Sequence, residues 1–109
     1  MPQQSYQLLE ARAEVFKALG HPTRLAIVDM LAGGPRCVRE LNENIAADIS
    51  TVSRHLAVMR NVGIVSSDKR GNQVYYRLEC PCITSFYDCV ESVINGTGRP
   101  IQLGLSLIH

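Results

Sequence analysis

Between Asp48 and Gly63 the apolar residues Ile49, Val52, Leu56 and Met59 recur at three- and four-residue steps, which lines them along one stripe of a helix. Asp48 supplies a side-chain oxygen to cap the first turn, and Gly63 can take the left-handed conformation that stops the helix. The remaining faces carry Ser50, Thr51, Ser53, Arg54, His55 and Asn61, short hydrogen-bonding groups plus one guanidinium. Such side chains suit a DNA major groove, where base edges offer donors and acceptors and flanking phosphates offer charge. Taken alone, the stretch equally fits an ordinary amphipathic surface helix. The segments around it decide between the two.

Upstream, Tyr6 to Leu19 reads as a helix with Leu8, Leu9, Val15, Phe16 and Leu19 on its apolar face, stopped by Gly20. Pro22 suits the first position of a second helix, which carries Leu25, Ile27, Val28 and Leu31 and ends at Gly33-Gly34-Pro35. A short third helix from Val38 to Ile45 and a three-residue break lead into the helix spanning Asp48 to Val62, a helix-turn-helix whose second member is the reader. After Gly63 the period changes to two. The runs Ile64–Lys69 and Gln73–Leu78 are rich in β-branched and aromatic residues, and Arg70-Gly71-Asn72 between them reads as a hairpin tip, Gly and Asn tolerating positive φ. The tip carries Lys69 and Arg70 to where they reach a phosphate or the minor groove. A last helix begins at Pro81, with Ile83, Phe86, Tyr87, Val90, Val93 and Ile94 forming a stripe too apolar for water.

These elements predict a mainly α fold with a β-hairpin wing, a winged helix-turn-helix in the order α-α-α-α-β-β-α. The length of 109 residues bounds this to one domain with a modest core. So small a core leaves the first and last helices to pack against a second copy in a homodimer, the alternative being that they close the monomer's own core. Residues 1–94 are expected to form the domain and residues 95–109 a tail, broken by Gly96, Gly98, Pro100 and Gly104 yet apolar at Ile101, Leu103, Leu105, Leu107 and Ile108.

Charge and cysteine usage narrow the function. No apolar run has the length of a membrane span, and the N-terminus lacks a signal peptide's basic and hydrophobic regions, so a cytoplasmic location is expected with no membrane partner. In that compartment the cysteines Cys37, Cys80, Cys82 and Cys89 read as thiols, and Asn95-Gly96-Thr97 is a coincidental glycosylation pattern. The net charge of +1 is no footprint of nucleic-acid binding, but from Asp48 to Leu78 five basic residues stand against two acidic ones. Charge gathered on one face binds phosphate while the whole stays near neutral. No glycine-rich phosphate loop, paired-carboxylate motif or serine elbow is present, so the chain is not expected to be an enzyme. A winged helix that mediates protein contacts alone is a further alternative, separable by salt-sensitive binding to a palindromic duplex.

The segments Ala18-Leu19-Gly20-His21-Pro22-Thr23-Arg24-Leu25, Thr51-Val52-Ser53-Arg54-His55-Leu56 and Val74-Tyr75-Tyr76-Arg77-Leu78 closely resemble signature segments of the ArsR/SmtB family, in order and spacing, over about Val15 to Leu78. Those proteins are homodimeric winged-helix repressors of bacteria that release DNA when a metal ion, metalloid or oxidant modifies them. The resemblance implies double-stranded operator DNA with an inverted repeat as partner, and repression of a resistance or homeostasis gene. It also implies that Ser50, Thr51, Ser53, Arg54 and His55 lie on the recognition helix and Lys69, Arg70 and Tyr75 on the wing.

The sensing residues depart from the family's pattern. Its arsenic branch opens the third helix with a Cys-Val-Cys-Asp-Leu box, where this chain has Cys37-Val38-Arg39-Glu40-Leu41. A guanidinium is no ligand for a soft ion, so that site is incomplete and Cys37 is the weaker candidate. The zinc branch pairs His and carboxylate ligands on the last helix, whereas the histidines here are His21, His55 and His109, so zinc is not expected. Cys80-Pro81-Cys82 and Cys89 remain, and three thiols without histidine suit a soft ion such as trivalent arsenic or antimony as inducer, with no organic cofactor. In a continuous helix Cys82 and Cys89 would stand about 10 Å apart along the axis, so one ion joins them only if the first turn unwinds. Cys80 would fall near the N-cap, where the helix dipole favours its thiolate. The same thiols also support a redox reading, through a disulfide or persulfide, a response to another soft metal ion, or no sensing at all, with Cys89 as a small buried hydrophobe.

Overall fold

The computed structural model describes residues 3–97. The chain runs through α1 (Gln3–Leu19), α2 (Pro22–Leu31), β1 (Arg36–Cys37), α3 (Val38–Glu43), α4 (Ile49–Asn61), β2 (Val65–Arg70), β3 (Gln73–Leu78), a 3-10 segment (Pro81–Phe86) and α5 (Tyr87–Gly96). It is the winged helix-turn-helix that the periodicities predict. The core forms where α2, α3 and α4 meet the sheet: Ile27, Val28, Leu41, Val52, Leu56 and Met59 are wholly buried, and Ile64, Val65 and Leu78 close it from the base of the wing. α4 therefore carries the apolar seam of the molecule on one edge. Gly63, at φ +85, turns the chain from α4 into the wing, a left-handed conformation that a side chain would strain.

Several elements differ from the expectation, each for a local reason. The wing holds a third strand: β1 pairs antiparallel with β3, Arg36 opposite Tyr76 and Cys37 opposite Tyr75, giving the order β1-β3-β2. Two residues are too few to show a period, so β1 is invisible to pattern reading. Ile49 is 53% exposed and does not join the buried stripe, because it sits at the first turn of α4, ahead of the contact with the core. α1 starts at Gln3, and α3 ends at Glu43, short of Ile45. The hairpin closes through Gly71 and Asn72, with Arg70 already paired to Gln73. Of the two tip residues that tolerate positive φ, Gly71 adopts it, at +63, and Asn72 does not, the pattern of a II′ turn.

The chain after Glu79 also departs. In place of one α-helix from Pro81 it forms the six-residue 3-10 segment and then α5, which continues to Gly96 rather than ending at Ile94. No residue of α5 is buried. Phe86, Val90 and Val93 are exposed along the 3-10 segment and α5, as are Tyr6, Leu8, Leu9 and Phe16 along α1, and the rings of Phe16 and Phe86 stand 6.4 Å apart. The tail from residue 98 onward lies outside the described residues.

Truncating Leu56 to Ala is expected to cost about 2–5 kcal/mol in urea unfolding, since a wholly buried branch at the centre of the seam leaves a cavity. Truncating the exposed Ile49 to Ala should stay within about 0.5 kcal/mol of the parent.

Candidate nucleic-acid interface

Asp48 sets the start of α4. Its Oδ1 accepts the Thr51 backbone N–H at 2.8 Å and the Ser50 hydroxyl at 2.9 Å. Those bonds, the Thr51 backbone N–H first, hold its carboxyl below the usual aspartate range. One turn on, Arg54 Nη2 donates to Thr51 Oγ1 at 3.2 Å. Ser50, Ser53 and Arg54 are exposed and Thr51 is half-buried, so the N-terminal turns of α4 present hydroxyls and a guanidinium outward while Val52 and Leu56 face the core. This is the edge the sequence picked out.

His55 is placed differently from its four companions. Half-buried, it faces α2: Arg24 Nε donates to its Nδ1 at 3.0 Å, and the rings of His21 and His55 lie 4.5 Å apart. Burial, and then the charges of His21, Arg24 and Arg54, hold its pKa below the ordinary histidine value. Arg24 Nη1 also donates to the Ala18 carbonyl at 3.1 Å, so one guanidinium ties α4 to the end of α1. His21 caps α2, its Nδ1 accepting the Thr23 N–H at 3.0 Å. Sequence reasoning missed Arg24. The available signal was its place three residues after His21, on the same side of one helix.

The wing brings Lys69, Arg70 and Tyr75 to its exposed end. Asp68 lies opposite Tyr75 and Lys69 opposite Val74, so neighbouring wing residues point to alternate faces. The Arg70 guanidinium sits 5.0 Å from the Tyr75 ring centroid, and its Nε lies 3.4 Å from Asp68. Both partners of that ion pair are more than half exposed, so it orients the side chain and adds little stability. At the base, Arg60 Nη1 of α4 donates to the Ser67 hydroxyl at 3.1 Å, linking α4 to the wing. Glu79 accepts from the Ser66 hydroxyl and from Arg77, and those bonds, the Ser66 hydroxyl first, hold its carboxyl below the usual glutamate range.

The cysteines divide into three places. Cys37 is 2% exposed, enclosed between β1 and the start of α3, where its backbone N–H donates to the Glu40 carboxylate at 2.9 Å. Cys80 precedes the 3-10 segment, half-buried and without a side-chain capping bond. Burial, and then the adjacent Cys82 thiol, push the Cys80 thiol above its ordinary value, contrary to the thiolate expected from a helix dipole. A six-residue 3-10 segment offers little dipole against that burial. Cys82 and Cys89 are exposed, and roughly 13 Å of helix contour separates them, because a 3-10 turn rises faster than an α-turn. Among the described residues no three His, Cys, Asp or Glu side chains are grouped closely enough to hold a metal ion, so Cys80, Cys82 and Cys89 are not gathered into one site.

Residues 21–67 match the arsR family of bacterial regulatory proteins. The chain is 38% identical over 72 residues to the transcriptional repressor SmtB of Mycobacterium tuberculosis, a match covering 66% of this chain; it spans about half of that protein's length, 53%. With the transcriptional regulator NmtR of the same organism it shares 35% identity over 97 residues, covering 89% of this chain and 78% of NmtR. Its fold superposes on the homodimeric winged helix-turn-helix domain of Mb0332 from Mycobacterium bovis with a TM-score of 0.74 at 27% identity, covering 100% of this chain and 94% of that one.

The Asp48 cap makes a prediction with a definite sign. A carboxyl whose folded pKa is depressed adds stability above its unfolded pKa and loses it as pH falls through the folded one. Asp48→Ala should lower the urea midpoint at pH 7, while Asp48→Asn, which keeps a capping oxygen, should hold most of it and show a shallower fall between pH 5 and about pH 2.

Proposed function

The chain belongs to the arsR family of bacterial regulatory proteins, and from that premise we propose that it is a homodimeric transcriptional repressor that binds an inverted-repeat operator in double-stranded DNA and lets go when its C-terminal thiols react with a thiophilic inducer. The observation that carries the DNA-binding half is the exposed edge Ser50, Ser53 and Arg54, set beside a wing that ends in Lys69 and Arg70 and is joined to it by Arg60 and Ser67. Hydroxyls read base edges, and the flanking guanidiniums and ammonium hold phosphates.

What α1 and α5 leave open supports the dimer. Phe16, Leu25, Phe86 and Val90 line a groove of about 240 Å3 with scarcely a polar atom, and Val93 beyond it is 66% exposed. A second copy that covers this face sets two recognition helices side by side, and inverted half-sites about 34 Å apart are the DNA counterpart of that symmetry.

For the signal, Cys80, Cys82 and Cys89 supply soft donors suited to trivalent arsenic or antimony. Cys80 and Cys82 are neighbours in space, and Cys89 joins them only if the 3-10 segment is remodelled. Runs of 3-10 helix longer than three or four residues are uncommon, so this one has a ready alternative in the α-helical state or in an open loop. Such a change is applied at the foot of α5 and passes directly to the dimer face. The pairing of Cys80 with Cys82 also favours a second reading, thiol oxidation to a disulfide, which needs two thiols rather than three.

The test selects duplexes from a random-sequence library with the reduced protein, then follows release of the labelled winner by anisotropy. An inverted repeat should emerge, and Arg54→Ala should weaken binding by roughly tenfold or more. Arsenite or antimonite should release the duplex from the parent, and Cys80→Ser should not respond. Release by peroxide alone would install the oxidation reading instead, and a monomer that enriches no duplex at low salt would refute the proposal.

A further inference from the structure

The Arg24–His55 junction lies behind the reading edge, and nothing in the DNA-binding reading uses it. Two groups face the imidazole, His21 at the cap of α2 and Arg24 within it, and the charge of Arg54 on its own helix also acts on it. α1 adds Glu14 and Lys17 to the cleft in which Arg24 lies. Because His55 Nδ1 accepts from Arg24 Nε at 3.0 Å, the ring is neutral and its proton sits on Nε2. The same guanidinium reaches the Ala18 carbonyl at 3.1 Å, so the bond through His55 is a side-chain strut between α4 and the α1–α2 unit.

An imidazolium donates at both nitrogens. Once protonated, His55 has no lone pair for Arg24 and stands as a cation against that guanidinium. We propose that the Arg24–His55 strut is a proton-sensitive brace: Arg24 is a positioning residue that holds α4 in its DNA-reading pose through neutral His55, and proton uptake by His55 in mild acid frees the helix and weakens the grip on DNA. This inference rests on the DNA-binding reading above. The low pKa of His55 agrees with it, since the brace resists protonation until the pH falls below the ordinary histidine range.

The sign separates this role from a direct one. A His55 that touched phosphate would bind DNA more tightly as it gained charge, whereas a brace weakens binding. A linked stability effect has the same direction: a histidine held neutral stabilises the fold above its unfolded pKa, and that contribution is lost as pH falls toward the folded one.

The experiment measures anisotropy of the library-selected, labelled duplex from pH 8.0 to pH 5.0 at constant ionic strength, together with an NMR titration of the histidines in the DNA-free dimer. The parent should show the Nε2–H tautomer of His55 at pH 7.5 and about a tenfold loss of affinity at the acid end. His55→Gln keeps an acceptor for Arg24 but takes up no proton, so its affinity should vary less than twofold over the range. Arg24→Gln should bind more weakly at high pH with its own pH dependence flattened, and the α4 amides of the parent should shift with the His55 midpoint. Affinity that rises in acid, a parent profile that is flat, or an unchanged slope in His55→Gln each overturns the brace. If no duplex is enriched, the DNA-binding reading fails, and the brace stands or falls on whether the α4 amides follow His55.

Discussion

The direction in which α4 presents its polar edge is fixed by the edge that cannot be seen from solvent. Val52, Leu56 and Met59 are wholly buried, and each pins a successive turn of α4 against Ile27, Val28 and Leu41. Burying three such side chains contributes several kcal/mol, far more than any surface ion pair in the molecule. A helix anchored along one side has no freedom to roll, so Ser50, Ser53 and Arg54 face outward by geometry. Asp48 fixes where the helix begins, and Arg24 ties its middle to the preceding helices. The apolar side chains hold the polar ones in place.

Most of this was legible in the sequence, because the informative pattern and the buried seam are the same residues. Val52, Leu56 and Met59 gave α4 its period; Asp48 and Gly63 gave its limits; alternation in Gln73–Leu78 gave β3 residue for residue. What escaped reading depends on contacts between segments distant in the chain. β1 exists only because Arg36 and Cys37 meet Tyr76 and Tyr75 some forty residues later. Likewise, His55 belongs on the recognition helix by sequence, but its ring points at Arg24, thirty-one positions away. The 3-10 start of the last helix is a local choice near Pro81 that hydrophobic spacing does not encode, since the same stripe serves either geometry.

The cysteines show the same division. Their softness is a property of the residue type and is read from the sequence; their grouping is not. Cys37 is locked away by the strand that sequence reading missed, and Cys89 is carried from Cys82 by the faster rise of the 3-10 segment. Cys80 and Cys82 lie between the wing and the last helix, Cys89 on that helix, while the exposed edge of α4 holds no sulfur.

β1 has a mechanical consequence. By hydrogen-bonding β3 to the residues that begin α3, it welds the wing to the helix-turn-helix on a second side, in addition to the turn at Gly63. A hairpin hinged at one end could flap; one clamped at both behaves as a single stiff blade with the helices it adjoins. In the dimer proposed above, torque delivered at the foot of α5 would swing each blade whole, and the distance between the two blades would be the variable that a signal adjusts.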